Sequence, residues 1–245
     1  MSENKSRVYM LDILRGIAVL GMVFHHALVS AEIVFETSFE FLLTTAFEVV
    51  QLIFVMVFLL VSGICTNYSR SIVRRGAVVT AAALIVSFAT CVVMPMIGLD
   101  GLSIYFGILH MFGLSMLIYG LCRKLFEKIP PLWGIIIFTV LFFAYYAFYK
   151  TNPSSEYYSL VPFGVSCVKL PPQGDYYPLF PFFFMFMTGT YLGKYVKQRK
   201  FPEFFYEFRF KPLEFCGKYS LLVYIIHQPI IFGTFYLISM IMANS

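Results

Sequence analysis

The chain has 245 residues, of which 60% are hydrophobic and only 13% are charged, and its mean hydropathy is +0.80. A soluble domain is about half apolar and about a quarter charged, so this composition excludes an ordinary soluble protein and favours a polytopic membrane protein. The net charge of +5 does not point to nucleic acid, because in a membrane protein basic residues act through their position in the loops.

Seven segments are apolar enough, and long enough, to be membrane-spanning helices, each of which needs roughly 20 residues. They cover residues 8–30, 41–65, 77–97, 104–122, 132–149, 178–195 and 220–242. No internal repeat or separate soluble region is present, so we expect one all-α, polytopic helix bundle over residues 1–245. The first segment follows Lys5 and Arg7 as a signal peptide would, but Asp12 and Arg15 interrupt it, and we expect a retained helix.

The basic residues of the loops set the expected orientation. With the N-terminus inside, the inside segments carry 15 of the 18 Lys and Arg residues, whereas the outside loops carry only Lys150 and Lys169. Cytoplasmic loops of membrane proteins are enriched in Lys and Arg. The sequence therefore predicts about seven spans in the cytoplasmic membrane, with the N-terminus in the cytoplasm and the C-terminus outside.

Two connections between the predicted spans are unusual. Residues 150–177 form a long outside connection rich in aromatic residues and prolines, which is either a packed cap or a disordered tether. On the inside, residues 199–215 place four phenylalanines at helical spacing among basic residues, which predicts a short helix in the membrane interface. Its anionic partner is either lipid or a cofactor.

Ionisable side chains inside the predicted spans are the main functional signal. All four histidines of the chain, His25, His26, His110 and His227, lie within them. A charge at the centre of a span costs about 2.5–3.5 kcal/mol on insertion scales, so such groups usually face a cavity or a partner. One histidine alone is commonly a structural hydrogen-bonding residue, but four together favour a shared polar cavity.

The first span places Arg15 and His26 on nearly one stripe. They are 11 residues apart, which on a helix is about 20° from three full turns and about 16 Å along the axis. Asp12 and Arg15 can form an ion pair at i, i+3, and a structural role for both residues would consist of this pair. His26 has no evident partner on its own helix, so we expect another element or solvent to satisfy it.

Histidine suits general-base catalysis near neutral pH. The sequence shows no nucleophile elbow, P-loop or dinucleotide fingerprint, and its five scattered cysteines favour neither a disulfide framework nor a zinc site. An acid–base or acyl-transfer role for His26 therefore fits better than metal-dependent hydrolysis.

Several motifs resemble one family. LDILRGIAVLGMVFHH (11–26) is similar to the first helix of the transmembrane acyltransferases, with Arg15 and His26 at that superfamily's spacing. Its start also resembles the heparan-α-glucosaminide N-acetyltransferase catalytic-domain family. The likeness to small bacterial members of that family continues in order along nearly the whole chain, through FLLVSGI (58–64), FGILHMFG (106–113), GDYYPLFP (174–181) and GKYSLLVYIIHQPI (217–230).

The resemblance implies a reaction and a site. An acetyl group would move from cytosolic acetyl-CoA to an amine or hydroxyl of an extracytoplasmic glycan or related acceptor, across a bacterial inner membrane. The implied catalytic residues are His26, His110, His227 and Asp175, and which histidine is the base stays open. The implied contacts for acetyl-CoA are Asp12, Arg15, Ser62, Arg70, Arg74 and Arg75. Expected partners are membrane lipid, acyl-CoA and a sugar-like acceptor, with no nucleic acid, and a homodimer is one candidate assembly.

Two other interpretations stay open. A transporter could use the same intramembrane His, Asp and Arg residues as a proton or ion path, although the chain lacks the inverted repeat of many transporters. A membrane scaffold or sensor would use them only to hold helices together.

Overall fold

The structure, a computed structural model, describes residues 7–96, 103–170 and 175–243, and this part of the chain is mostly α-helical. The helices are α1 (Tyr9–Phe35), α2 (Thr45–Thr66), α3 (Ile72–Phe88), α4 (Met94–Met96), α5 (Ile108–Leu121), α6 (Arg123–Phe126), α7 (Pro131–Tyr149), α8 (Leu179–Lys197), α9 (Glu203–Glu207), α10 (Lys211–Lys218) and α11 (Ser220–Ala243). The other elements are 3-10 turns at Glu40–Leu43 and Tyr158–Phe163, a π-helical turn at Ala89–Val93, and the paired strands β1 (Ser154–Ser155) and β2 (Ser166–Cys167).

Among the described residues, five helices are long and apolar enough to cross a membrane: Tyr9–Phe35, Thr45–Thr66, Ile72–Met96, Pro131–Tyr149 and Ser220–Ala243. Each of them coincides with a predicted span. The two other predicted spans are also helical, but α5 has only 14 residues and α8 is not among the five. The count of seven and the orientation therefore stay predictions, and the positions predicted for Lys5 and Ile97 fall outside the described residues.

Large apolar side chains on the long helices are exposed. Phe24 is 62% exposed, and Ile85 and Ile241 are each 69% exposed. In water such surfaces mark interaction sites or aggregation hazards, whereas on helices of spanning length lipid covers them. The chain is therefore an all-α, integral, multi-pass membrane protein.

The prediction that the fourth span begins at residue 104 is wrong, because α5 begins at Ile108. The N-cap is Gly107, whose backbone is extended (φ −103, ψ −174). Ile104 is bound to side chains instead: its carbonyl accepts from the Ser87 hydroxyl at 2.7 Å, and its N–H donates to Thr90 Oγ1 at 3.2 Å. These bonds satisfy the Ile104 backbone outside a helix. His110 is consequently the third residue of α5, not about seven residues inside it.

The short helix predicted within residues 199–215 is present as α9 (Glu203–Glu207), and its place in the membrane interface stays a prediction. The chain is then extended at Phe208 (φ −61, ψ 134), which separates α9 from α10. Glu214 stabilises this break. Its Oε1 accepts from Arg209 Nε at 2.9 Å and from the Phe210 N–H at 3.0 Å, ahead of α10. The hydrogen bond from Arg209 holds the pKa of the Glu214 carboxyl below its ordinary value.

Contacts between the helices divide the chain into two compact units: unit 1, Met1–Val61 with Phe201–Ser245, and unit 2, Ser62–Lys200. In unit 1, α1 packs against α10 and α11. Two glycines permit close approach between helices. A Cβ on Gly217 would collide with the backbone of Asp12, and a Cβ on Gly16 would collide with the carbonyl of Leu213.

In unit 2, α7 packs on α8, and α5 packs on both α3 and α8. The centre of this packing contains Phe142, Phe186 and Met187, each 0% exposed, and Tyr191, which is 1% exposed. The Tyr191 hydroxyl donates to the Phe126 carbonyl at 2.7 Å, because a buried phenol needs a polar partner.

The long connection of residues 150–177 is a packed cap on unit 2 in its described part, not a tether. Val161 is 5% exposed, and its carbonyl accepts from the Tyr176 hydroxyl at 2.7 Å. The Tyr145 hydroxyl of α7 donates to the Phe163 carbonyl at 2.8 Å. Burial raises the pKa of Tyr176. Residues 171–174 of this connection lie outside the described residues.

Candidate functional site

Two of the histidines form a pair in unit 1. His26 of α1 and His227 of α11 are joined by a hydrogen bond of 2.6 Å between Nδ1 of His26 and Nε2 of His227. The ring planes are nearly parallel, at 13°, with centroids 4.9 Å apart, so the two rings lie edge to edge about this hydrogen bond. This confirms the expectation that another element satisfies His26.

The two rings use their nitrogens differently. His227 uses both, because its Nδ1 also bonds to the Tyr224 carbonyl at 2.5 Å. His26 uses only Nδ1, and its Nε2 takes part in no hydrogen bond within residues 7–96, 103–170 and 175–243. His26 is half-buried, so the pair contains one ring nitrogen that can accept a proton from a bound molecule.

Neighbouring residues extend the polar contact between the two helices. Ser30, one turn after His26, accepts a hydrogen bond from Gln228 Nε2 at 3.1 Å, next to His227. On the other side of α1, His25 Nε2 lies 3.2 Å from Gln51 Nε2 of α2. Two buried polar atoms beside the pair, His25 Nδ1 and Gln228 Oε1, have no hydrogen-bond partner among the residues that the structure describes.

The N-terminal end of α1 holds the predicted ion pair. Arg15 Nη1 lies 3.8 Å from Asp12 Oδ1 and donates to the Gly217 carbonyl at 3.2 Å. Asp12 is 7% exposed, and its closer partner is Arg7, whose Nε lies 2.7 Å from Oδ2. This hydrogen bond raises the pKa of Arg7. Helical periodicity could not identify Arg7, because it precedes the helix and approaches Asp12 from outside it.

His110 and Asp175 meet at the start of α5 in unit 2. The Gly107 N–H donates to His110 Nδ1 at 3.2 Å, and the Ile108 N–H donates to Asp175 Oδ2 at 3.3 Å. His110 Nε2 lies 3.1 Å from Ser87 Oγ. Both ring nitrogens of His110 are therefore engaged, and two of the helix's first N–H groups, which lack intrahelical partners, are satisfied.

The remaining residues predicted to bind acetyl-CoA belong to unit 2. Ser62 is buried, with 7% exposure. Arg70, Arg74 and Arg75 are exposed around the start of α3, where Ser71 Oγ accepts from the Arg74 N–H at 3.4 Å.

The structure thus brings His26 together with His227 in unit 1, and His110 together with Asp175 in unit 2. The shared cavity of four histidines stays a prediction. The sequence patterns did not identify Ser30, Gln51, Tyr224 or Ser87 as members of these groups. Ser30 was the easiest of them to find, because it lies four residues after His26 on the same helical face.

Within residues 7–96, 103–170 and 175–243, no group of three His, Cys, Asp or Glu side chains is placed to hold a metal ion. No curated protein and no solved structure matches the chain. A family model described as heparan-alpha-glucosaminide N-acetyltransferase, catalytic, matches residues 7–229. This match includes both histidine groups and most of the chain. The chain therefore belongs to the heparan-alpha-glucosaminide N-acetyltransferase catalytic-domain family of membrane acetyltransferases.

Proposed function

We propose that the protein moves the acetyl group of cytosolic acetyl-CoA to an amine or hydroxyl of an extracytoplasmic, sugar-like acceptor. Family membership supports the acetyl-transfer class. The observation that supports the site is the His26–His227 pair, in which His26 keeps Nε2 outside the hydrogen bonds of the described residues. A general base needs such a nitrogen within reach of the proton that it removes.

In the proposed reaction, the acceptor attacks the thioester carbonyl carbon while His26 Nε2 takes the proton of the attacking amine or hydroxyl. A C–N or C–O bond forms, and the C–S bond to CoA breaks. The leaving CoA thiolate then takes up the proton from His26, which returns to its neutral form. The alternative use of the same nitrogen is to carry the acetyl group briefly, and rapid denaturation near neutral pH during turnover, followed by mass spectrometry, would detect that adduct.

For His110 and Asp175, we infer a role at the N-terminus of α5 and not in the chemistry. Both nitrogens of His110 are engaged, with Gly107 and Ser87. The Asp175 carboxylate lies at the positive end of the helix dipole, where a negative charge is stabilising. A proton acceptor for catalysis would first have to give up these bonds.

We further propose that the basic inside segments face the cytoplasm of a bacterial inner membrane and bind the phosphates of CoA. Arg70, Arg74 and Arg75 support this because they are exposed, and guanidinium groups bind phosphate well. The acetyl-CoA contacts of Asp12, Arg15 and Ser62, and the homodimer, stay predictions.

The test uses the full chain in proteoliposomes, with labelled acetyl-CoA on one side and a panel of amine and sugar acceptors on the other. His26→Asn keeps a side-chain N–H near the position of Nδ1 but has no Nε2. We expect acetyl transfer to fall about 100-fold or more, which is the usual range for a lost general base, with little change in the thermal unfolding midpoint.

The matched control is His110→Asn, whose Oδ1 can still accept from the Gly107 N–H. It should lower the unfolding midpoint but keep turnover per folded molecule. Equal activity of His26→Asn and the parent would refute the base assignment. A parent protein that carries protons across the membrane but releases no CoA with any acceptor would be a transporter, and the proposed function would be wrong.

A further inference from the structure

We propose that His227 is a positioning residue that sets the tautomer of His26. A hydrogen-bonded chain runs from the Tyr224 carbonyl through His227 to His26, and it leaves Nε2 of His26 as the basic nitrogen. The same chain stabilises the positive charge that His26 gains during transfer. This proposal rests on the proposed function, because it takes His26 as the base and adds the residue that prepares it.

The tautomers of His227 and His26 follow from the first acceptor in the hydrogen-bonded chain, the Tyr224 carbonyl. A backbone carbonyl can only accept, so the short contact between Tyr224 O and His227 Nδ1 requires a proton on Nδ1 of His227. A neutral imidazole carries one N–H and one lone pair, so Nε2 of His227 is an acceptor. The bond of 2.6 Å to His26 therefore requires the proton on Nδ1 of His26, and its lone pair is on Nε2.

The packing of α1 against α11 holds this chain in place. Gln228 and Ser30 form a second hydrogen bond between the same two helices, at 3.1 Å, one residue after His227 and one turn after His26. The two rings are nearly coplanar, at 13°, and the hydrogen bonds at both nitrogens of His227 fix the direction of its ring. The His26 ring is therefore oriented before any substrate binds, which is how partner residues fix the tautomer and direction of functional histidines.

The hydrogen-bonded chain also stabilises the positive charge that forms on His26. When Nε2 takes a proton, the ring becomes an imidazolium whose Nδ1–H still donates to the lone pair of His227. Hydrogen bonds from an ionised donor are roughly twice as strong as neutral ones, so the bond strengthens as the transition state forms. A carboxylate in this position would place a second ionised group inside a span, where charges are costly. A neutral histidine supplies the acceptor without that cost.

The tautomer can be measured directly on the full chain with ¹⁵N-labelled histidine in lipid nanodiscs. The His26 resonances are assigned by their loss in His26→Asn. In the parent we expect a protonated Nδ1 and an unprotonated Nε2 on neutral His26. His227→Phe keeps an aromatic ring at this position but has no acceptor, so Nδ1 should no longer be the single protonated site. His227→Gln places Oε1 near the position of Nε2 and should restore the parent tautomer.

His25→Phe is the matched control. It replaces the other neighbouring histidine, whose ring lies 5.6 Å from that of His26 but bonds to Gln51 instead. It should leave the His26 tautomer unchanged. A shift of the tautomer in His25→Phe equal to that in His227→Phe would show a general effect of packing and would overturn the proposal.

Kinetics separate positioning from stability. His227→Phe should lower kcat with little change in KM for acetyl-CoA, and His227→Gln should recover most of the loss. A merely structural role predicts less folded protein but the same kcat per folded molecule, and that result would overturn the proposal. So would a parent-like tautomer in His227→Phe. If the parent transfers no acetyl group, the proposed function fails, and the tautomer measurement still decides the hydrogen-bonded chain by itself.

Discussion

Substitutions of Asp175 separate a role in helix capping from a role in catalysis. Its side chain is buried, with 6% exposure, and Oδ2 accepts from the Ile108 N–H at 3.3 Å at the first position of α5. Asp175→Ala removes this acceptor and leaves a buried N–H without it. Asp175→Asn keeps an oxygen that can accept but removes the charge.

The magnitudes for the two variants differ enough to measure. Loss of the acceptor in Asp175→Ala should cost about 1–3 kcal/mol of the free energy of unfolding. For a chain of this size that corresponds to about 2–12 °C in the unfolding midpoint. Asp175→Asn loses only the interaction of the charge with the helix dipole, about 0.3–1 kcal/mol, or about 1–4 °C.

The assay combines thermal unfolding in detergent with acetyl transfer per folded molecule. Capping predicts that Asp175→Asn stays active and nearly as stable as the parent, while Asp175→Ala is less stable. An amide cannot act as a carboxylate base, so a catalytic Asp175 predicts that both variants are inactive. An inactive Asp175→Asn with an unchanged midpoint would refute the capping argument.

Two further predictions concern the packing and charge at the N-terminal end of α1. Gly217→Ala should destabilise unit 1 by about 1–3 kcal/mol, because its Cβ would collide with the Asp12 backbone. Gly233→Ala is the control and should not destabilise, because its Cβ has no neighbour within 4 Å. Equal unfolding midpoints for the two variants would contradict the close approach of α1 and α10. Asp12→Asn should cost about 0.2–1 kcal/mol, because Arg7 loses its charged partner at 2.7 Å but its side chain is 46% exposed, so that solvent screens the pair. Both variants are checked by thermal unfolding, and a parent-like midpoint for Asp12→Asn would show that water satisfies Arg7 equally well.

The predicted helical segments agree well with the structure, whereas several of their ends do not. Hydropathy finds an apolar run wherever it occurs, so all seven predicted segments contain a helix. The predicted start of α5 was wrong because hydropathy does not show where backbone N–H and C=O groups form their hydrogen bonds. Residues 104 to 107 are apolar, yet the side chains of Ser87 and Thr90 bind the Ile104 backbone. The helix therefore begins only after its N-cap, Gly107.

The candidate site was predictable only in part, because helical spacing relates residues on one helix but not residues on different helices. The spacing on one helix placed Arg15 near Asp12, and this pair is present in the structure. The same periodicity showed that His26 needed a partner but could not name it. Arg7 and Glu214 were missed as partners, because each contact joins a helical residue to a residue that precedes the helix.

By itself, the sequence determined that the protein is a helical membrane protein with histidines in its spans, because hydropathy and helical spacing are local properties of the chain. Only the tertiary structure decided which histidines meet. His26 and His227 are 201 residues apart, and their contact depends on how α1 packs against α11, including the glycines that let α1 approach its neighbours. His26 has one ring nitrogen outside the hydrogen bonds of the described residues, whereas both ring nitrogens of His110 are bonded, and this difference is likewise a property of packing.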